Sequence, residues 1–152
     1  MKRILVSLLC VAMLVTFMPS LAWAGDDITS PFAEITVNGQ SRTYSDQQTF
    51  LDEFSKIQEK ADVKLLDDVE INGAISVMAE QEISLDLNGY TLSTGLEKEG
   101  RHYYAINNYG KLVINDSSEG QAGTIKARGI QNLGTGELSI SGGTFVSVDA
   151  NG

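Results

Sequence analysis

The sequence predicts an all-β fold in which short parallel strands stack in successive layers. An apolar phrase returns at nearly constant intervals, each copy alternates apolar and polar residues, and 12 of the 15 glycines follow residue 88, where turns are expected. The copies are Leu85–Gly89, Leu112–Asp116 and Leu138–Gly142, which begin 27 and 26 residues apart. Repeats of this length are typical of solenoids, whose repeats bury their apolar faces by stacking on neighbours. We therefore expect the first leucines of the three copies to lie in one buried column.

The N-terminus has the pattern of a secretory signal peptide. The basic start Met1–Arg3 precedes the apolar stretch Ile4–Phe17, and Ala22–Ala24 supplies the small residues of a cleavage site. The 14-residue apolar stretch is shorter than the roughly 20 residues that span a bilayer, which disfavours a membrane anchor. We predict a signal peptide over residues 1–24, a flexible leader over 25–31, and a secreted or extracellular chain, with the cell surface as one destination.

The composition narrows the expected partners of the mature chain. Cys10, the only cysteine, lies in the predicted signal peptide, so no disulfide is expected. Loss of that peptide removes two of the 11 Lys and Arg, and the remaining 9 against 20 Asp and Glu give a formal net charge of −11. This acidic charge argues against nucleic acid as a partner and favours solubility. No membrane insertion is expected after cleavage.

Residues 32–61 are predicted to form a hairpin and a capping helix. Asn38-Gly39 separates two alternating segments, Ile35–Val37 and Ser41–Tyr44, and this dipeptide favours a tight hairpin turn. Ser45–Gln48 has the pattern of a capping box at a helix start.

Apolar residues after this box fall on one face of a helix that we expect to run to about Ala61. They are Phe50, Leu51, Phe54 and Ile57. One interpretation is a partner-binding helix. We favour a cap over the open end of the solenoid, because exposed solenoid ends present unpaired strand edges.

Residues 62–152 are predicted to form the stacked coils. Ala105–Asn108 matches Gly129–Asn132 after 24 residues, and Gly123–Ile125 matches Gly143–Phe145 after 20 residues. One coil therefore holds about three short strands, which are joined by turns of unequal length.

Asparagines at the predicted corners have two interpretations. If Asn108 and Asn132 share a corner, their amides can hydrogen-bond between layers as an asparagine ladder. Alternatively, Asn107 and Asn108 bind sugar hydroxyls. We favour the ladder, because side chains at turns usually satisfy local groups first.

These phrases resemble those of a known family. The segments Ile83–Leu92, Ala105–Asn108 and Leu138–Phe145 are similar to segments of bacterial secreted right-handed parallel β-helix proteins, many of them adhesin-like, whose fold is shared with pectate lyases. Thr43–Val69 resembles their N-terminal lead-in. The resemblance implies a right-handed single-stranded parallel β-helix of about three to four coils with an N-terminal hairpin and amphipathic capping helix. Because these relatives are much longer, we also expect this chain to be truncated at the C-terminus.

The candidate ligand-binding residues are Arg101, His102, Tyr103 and Tyr104. This segment holds the only histidine, two aromatic rings and a cation in a predicted loop before a strand. Aromatic faces suit sugar rings and the guanidinium supplies hydrogen-bond donors, so a sugar-stacking surface is one interpretation. The alternative is a loop whose tyrosines cover the flank of a coil.

No catalytic residues, metal site or cofactor are predicted. Lyases and hydrolases of this fold need acids in register on neighbouring coils. The repeat alignment gives two outward columns, which read Asp86, Val113, Ser139 and Ser84, Lys111, Glu137. Neither column stacks carboxylates. The acidic cluster Asp67, Asp68 and Glu70 is interpreted as a solvated turn instead of a calcium site.

The sequence therefore favours a secreted or cell-surface β-helix module, structural or adhesin-like, with no evident catalytic activity. The resemblance implies carbohydrate as the ligand class, either an extracellular polysaccharide or a host or neighbouring cell surface. The alternative is the N-terminal part of a polysaccharide lyase or glycoside hydrolase whose active site lies beyond this chain. A third reading is a decayed fragment with no stable fold.

Overall fold

The computed structural model describes residues 29–95 and 103–148. These ranges contain one helix, α1 (Gln47–Ser55), and thirteen strands. The strands are β1 (Ala33–Val37), β2 (Gln40–Tyr44), β3 (Lys60–Leu65), β4 (Val69–Ile71), β5 (Ile75–Val77), β6 (Glu82–Asp86), β7 (Thr91–Thr94), β8 (Ile106–Asn108), β9 (Lys111–Asn115), β10 (Thr124–Ala127), β11 (Ile130–Asn132), β12 (Glu137–Ile140) and β13 (Thr144–Ser147). The predicted all-β character is confirmed. The predicted signal peptide over residues 1–24 lies outside the described residues.

The strands form three sheets. Sheet A has the order β12-β9-β6-β3-β1-β2, sheet B the order β13-β10-β7-β4, and sheet C the order β11-β8-β5. Pairing is parallel throughout, except that β1 is antiparallel to both β2 and β3. From β3 onward the chain visits sheets A, B and C in turn, and each strand pairs with the strand three places later. Strands that are three places apart along the chain therefore lie side by side in the same sheet.

The N-terminal hairpin forms where the sequence predicts it. β1 and β2 flank Asn38 and Gly39, whose φ angles are 52° and 76°. Asparagine and glycine tolerate this left-handed conformation, and two such residues in succession match the twist of the flanking strands. The hairpin extends sheet A beyond β3.

The predicted helix is real, but its start and its end are both wrong. Asp46 is the N-cap, and its Oδ1 accepts hydrogen bonds from the N–H and the hydroxyl of Thr49, at 2.8 and 2.6 Å. Ser45 lies one residue outside the helix. The helix ends at Ser55, and Ala61 belongs to β3, because the alternating pattern that starts at Lys60 buries every second side chain of that strand. Strand packing therefore overrides the helical spacing that Ile57 continues.

The helix packs one face against the core. Phe50 and Phe54 are buried, and the Phe50 ring packs edge-on against Phe32 and Tyr44, at centroid distances of 5.4 and 5.9 Å. The buried Gln81 fastens the C-terminal end of the helix, because its Nε2 donates to the carbonyls of Ile57 and Phe54. Such side-chain donors satisfy carbonyls that have no partner within the helix.

In the predicted column of leucines, the position of Leu85 is wrong by two residues. Leu112 pairs with Leu138, as the repeat predicts. Ile83, however, pairs with Leu112, while Leu85 pairs with Ile114. Because a shift of two residues keeps each side chain on its face, Leu85 and Leu112 are both still buried. Leucine and isoleucine fill these inward positions equally well, so their identity does not mark the register.

The observed register also changes the outward columns of sheet A. These columns read Lys60, Glu82, Lys111, Glu137 and Asp62, Ser84, Val113, Ser139, while Asp86 pairs with Asn115 instead of Val113. Neither column stacks carboxylates. In the first column the charges alternate, and Glu82 lies 3.8 Å from Lys60 and 3.5 Å from Lys111.

The shorter repeats are paired as predicted, and the asparagine ladder is confirmed. Asn108 pairs with Asn132 in sheet C, and Thr124 pairs with Thr144 in sheet B. The side chain of Asn108 is completely buried, and its Nδ2 donates to Asn132 Oδ1 at 2.7 Å. The amide thus links two layers at a corner.

The core is apolar and draws residues from all three sheets and from α1. Its largest fully buried side chains include Phe50, Ile71, Ile83, Leu92 and Ile106. The layer of β12 and β13 differs, because its inward-facing Ile140 and Phe145 are exposed.

Candidate functional site

The predicted ligand-binding segment is only partly described. Arg101 and His102 lie outside the described residues. Tyr103 and Tyr104 are half-buried at the corner between sheet B and sheet C. The Tyr103 carbonyl accepts hydrogen bonds from the hydroxyl of Thr94 at 3.0 Å and from the N–H of Arg128 at 3.2 Å. The corner is therefore fixed to the end of β7 and to the end of β10.

Arg128, which is not among the residues predicted from the sequence, completes this corner. Its guanidinium lies 4.7 Å from the centroid of the Tyr104 ring, within the range of a cation–π interaction. A side chain at position 129 would press against the same ring, because a Cβ on Gly129 would lie 3.1 Å from it, and the ring would have to move by a few tenths of an ångström. The signal was present in the sequence, since Tyr104 and Arg128 are 24 residues apart, the interval that separates Ala105 from Gly129.

The outward face of sheet B leads to this corner. The residues that alternate with its buried side chains form two columns. One column reads Thr91, Thr124, Thr144, and the other reads Glu70, Ser93, Lys126, Val146. Neighbouring members of a column are one strand spacing apart, about 4.8 Å. The face thus presents a row of threonine hydroxyl groups in the first column. The second column adds the Glu70 carboxylate and, two layers away, the Lys126 ammonium group.

Corner carboxylates hold the first residues of these strands in place. Asp68 Oδ1 accepts the N–H of Thr91 at 2.7 Å. Asp116 accepts the N–H groups of both Gly89 and Gly123, which lie just before β7 and β10. One buried side chain therefore sets the spacing between the strands that carry Thr91 and Thr124.

Asp116 is ionised although it is only 6% exposed. Burial alone raises the pKa of this carboxyl, but hydrogen bonds from the Ser118 side chain and N–H, and from Gly123 and Gly89, outweigh that effect and hold its pKa below the usual value. Carboxylates that accept several backbone N–H groups are stabilised in the charged form. Its interactions are internal, which indicates a structural role.

A groove of about 360 Å³ runs along the face of sheet B. Its lining residues are Asp68, Val69, Glu70, Thr91, Ser93, Thr94 and Lys126. Ser93 donates to the Val69 carbonyl at 3.2 Å, and Thr94 links the groove to Tyr103. The volume lies within the range of small-ligand sites, and the lining groups are hydrogen-bond donors and acceptors that suit a polyhydroxylated ligand.

A second cleft, of about 630 Å³, lies between β2 and the end of α1. Three of its charged lining residues, Arg42, Glu53 and Lys56, already satisfy one another. Glu53 lies 2.7 Å from the Lys56 ammonium and 3.6 Å from the Arg42 guanidinium. The hydrogen bond from Lys56 holds the pKa of the Glu53 carboxyl below its usual value. This cleft is therefore larger but less suited to a polar ligand than the groove on sheet B.

Across residues 29–95 and 103–148, no group of three or more His, Cys, Asp or Glu side chains is arranged to hold a metal ion. The same part of the chain contains no helix with the length and apolar character needed to cross a membrane. Comparisons with models of protein families, with curated proteins and with solved structures found no match to this chain.

Proposed function

We propose that this chain is a secreted or cell-surface β-helix module, structural or adhesin-like, that binds carbohydrate on the outward face of sheet B. The observation that carries the proposal is the polar groove on sheet B, which Thr91, Ser93 and Lys126 help to line, together with the contact between Tyr104 and Arg128 two residues after Lys126. Sugars offer alternating hydroxyl groups and apolar ring faces, which match hydroxyl rows and aromatic rings respectively. Extracellular polysaccharide is the proposed ligand class.

The proposal includes the finer fold, a right-handed single-stranded parallel β-helix. The order in which the chain visits sheets A, B and C supports it, because each strand pairs in parallel with the strand three places later. Connections between parallel strands of one sheet are right-handed in about 98% of cases. A solenoid also accounts for an apolar interior that all three sheets share.

The alternative, a polysaccharide lyase or hydrolase whose active site lies beyond this chain, draws no support from the described outward columns. Acids that act together on a sugar must lie in register on neighbouring strands. In sheet A each Glu of the charged column neighbours Lys, and in sheet B Glu70 neighbours Ser93.

The test is electrophoresis of the purified exported protein through native gels that contain xylan or polygalacturonate. We expect one of these polymers to retard the protein. We also expect Tyr104→Ala and Lys126→Ala to weaken retardation at least threefold, because they remove the ring and the cation of the proposed face. Lys111→Ala is the matched control, since Lys111 projects outward from sheet A. Equal retardation of all variants, or no retardation by either polymer, would refute the proposal.

A further inference from the structure

Asn-Gly is the dipeptide at which an asparagine side chain reacts most readily with its own backbone. In the described residues it occurs at 38–39, 72–73 and 88–89. The backbone nitrogen of the glycine attacks the side-chain carbonyl carbon of the asparagine, a C–N bond forms, and the side-chain nitrogen leaves as ammonia. Water then opens the cyclic imide to aspartate or isoaspartate. Glycine favours this reaction because it has no side chain to obstruct the attack.

Two of these dipeptides are matched in backbone conformation. Asn38 and Gly39 have φ angles of 52° and 76°, and Asn88 and Gly89 have φ angles of 49° and 86°. Gly73, in the third dipeptide, has a φ angle of 153° and does not belong to this match. A difference in reactivity between the two matched dipeptides is therefore expected to come from their surroundings.

The dipeptide Asn88-Gly89 is held at both reacting groups. The Nδ2 of Asn88, which would leave, donates to the carbonyl of Leu65 at 2.9 Å. The N–H of Gly89, whose nitrogen would attack, donates to Asp116 Oδ1 at 2.9 Å. A Cβ on Gly89 would also lie 3.1 Å from the side chain of Ser118, so this turn is closely covered. Both hydrogen bonds must break before the imide ring can close.

The dipeptide Asn38-Gly39 is free at the same two groups. Both residues lie exposed at the turn between β1 and β2. Among the residues that the structure describes, neither the side chain of Asn38 nor the N–H of Gly39 has a hydrogen-bond partner. Apart from its chain neighbours, no described residue lies within 4 Å of the position that a Cβ on Gly39 would occupy. The side chain and the nitrogen can therefore approach each other without breaking a contact of the fold.

We propose that Asn38 is a site of spontaneous deamidation, and that Asn88 in the same dipeptide is protected by Leu65 and Asp116. The reaction at Asn38 consumes only water and releases only ammonia. It adds a carboxylate to the lining of the cleft between β2 and the end of α1, to which Asn38 belongs. Where isoaspartate forms, the backbone also gains one carbon atom at the hairpin turn. This inference rests on the two turns and does not depend on carbohydrate binding.

The test compares the two asparagines within one protein. The purified exported protein is incubated in mildly alkaline buffer, samples are digested with pepsin in acid, and deamidation is located by fragmentation of the peptides in a mass spectrometer. We expect Asn38 to be converted about tenfold faster than Asn88, because ring closure at Asn88 requires two hydrogen bonds to break. In urea that unfolds the chain the two rates should converge. Asn38→Gln is the control variant, since its longer side chain closes a ring far more slowly, and the fast conversion should disappear.

A second variant tests the protection of Asn88. Asp116→Ala frees the N–H of Gly89, so it should speed the conversion of Asn88 and leave that of Asn38 unchanged, with circular dichroism reporting whether the fold is retained. If the fold is lost, the comparison of the unsubstituted protein with and without urea decides alone. No conversion of Asn38, equal rates in the folded protein, faster conversion of Asn88, or a difference that persists in urea would each overturn the proposal.

Discussion

Replacing Asn108 with alanine removes the most completely enclosed polar link between layers. Nδ2 of this side chain donates to Asn132 Oδ1 at 2.7 Å and to the Glu137 carbonyl at 2.9 Å, while its Oδ1 accepts the N–H of Gly110 at 3.2 Å. The alanine variant leaves the buried Gly110 N–H without this partner and removes one partner of the carbonyl of the exposed residue Glu137. Because a buried group that loses its partner costs about 1–3 kcal/mol, we expect Asn108→Ala to lower the free energy of unfolding by about 2–3 kcal/mol.

Asn132→Ala is the matched variant for this experiment. Asn132 is the exposed member of the ladder, and water can replace much of what its side chain contributes. The expected loss is about 1 kcal/mol. Urea unfolding followed by circular dichroism gives the free energy of unfolding of the two single variants and of the double variant. The difference between the loss in the double variant and the sum of the two single losses reports the coupling of the two amides. Equal losses for the two single variants would refute the reasoning from burial.

Three further substitutions test other parts of the account. Leu112→Asp should abolish the cooperative thermal transition, because the substitution buries an unpaired charge. Val113→Asp, on the outward side of the same strand, should retain the transition. Similar melting of the two variants would contradict the inward orientation of Leu112. The lowered pKa of Asp116 stabilises the fold above its unfolded pKa of about 4, and this contribution is lost as the pH falls towards the folded value. Asp116→Asn should therefore lower the free energy of unfolding at pH 7 and weaken the dependence of that free energy on pH below pH 4. Urea midpoints measured at decreasing pH test this. A pH dependence identical to that of the unsubstituted protein would count against the hydrogen-bonding role of Asp116. Asp46→Ala should lower the urea midpoint of unfolding, because it removes the acceptor of the Thr49 N–H, and Ser45→Ala should leave the midpoint unchanged. The reverse order would return the helix cap to Ser45.

The sequence predicts those features that depend on local chemistry. Asn38-Gly39 specifies a hairpin because few other residues adopt its backbone conformation. The 24-residue match places Asn108 on Asn132 because an asparagine at a buried corner has few acceptable partners. Thr124 and Thr144 are matched through the glycines that precede them.

The features that the sequence does not predict depend on how neighbouring strands are aligned. Leu85 pairs with Ile114 instead of Leu112, and an alignment of apolar residues cannot distinguish these inward positions, because they are chemically equivalent. The contact between Tyr104 and Arg128 lies one residue before the recognised phrase. The groove on sheet B can be predicted only if the alignment of β4, β7 and β10 is known. That alignment is not evident from the sequence, because the turns between the strands differ in length.

The central claim is that strands three places apart are stacked in parallel in the observed register. Disulfide formation tests it directly, because neighbouring paired residues lie about 5 Å apart at Cα, whereas Cα separations above about 7 Å prevent a bridge. The only native cysteine lies at position 10, in the predicted signal peptide. Under mild oxidation, the pair Glu82→Cys and Lys111→Cys should form a disulfide rapidly, and the pair Ser84→Cys and Lys111→Cys should not. Faster oxidation of the second pair would contradict the account.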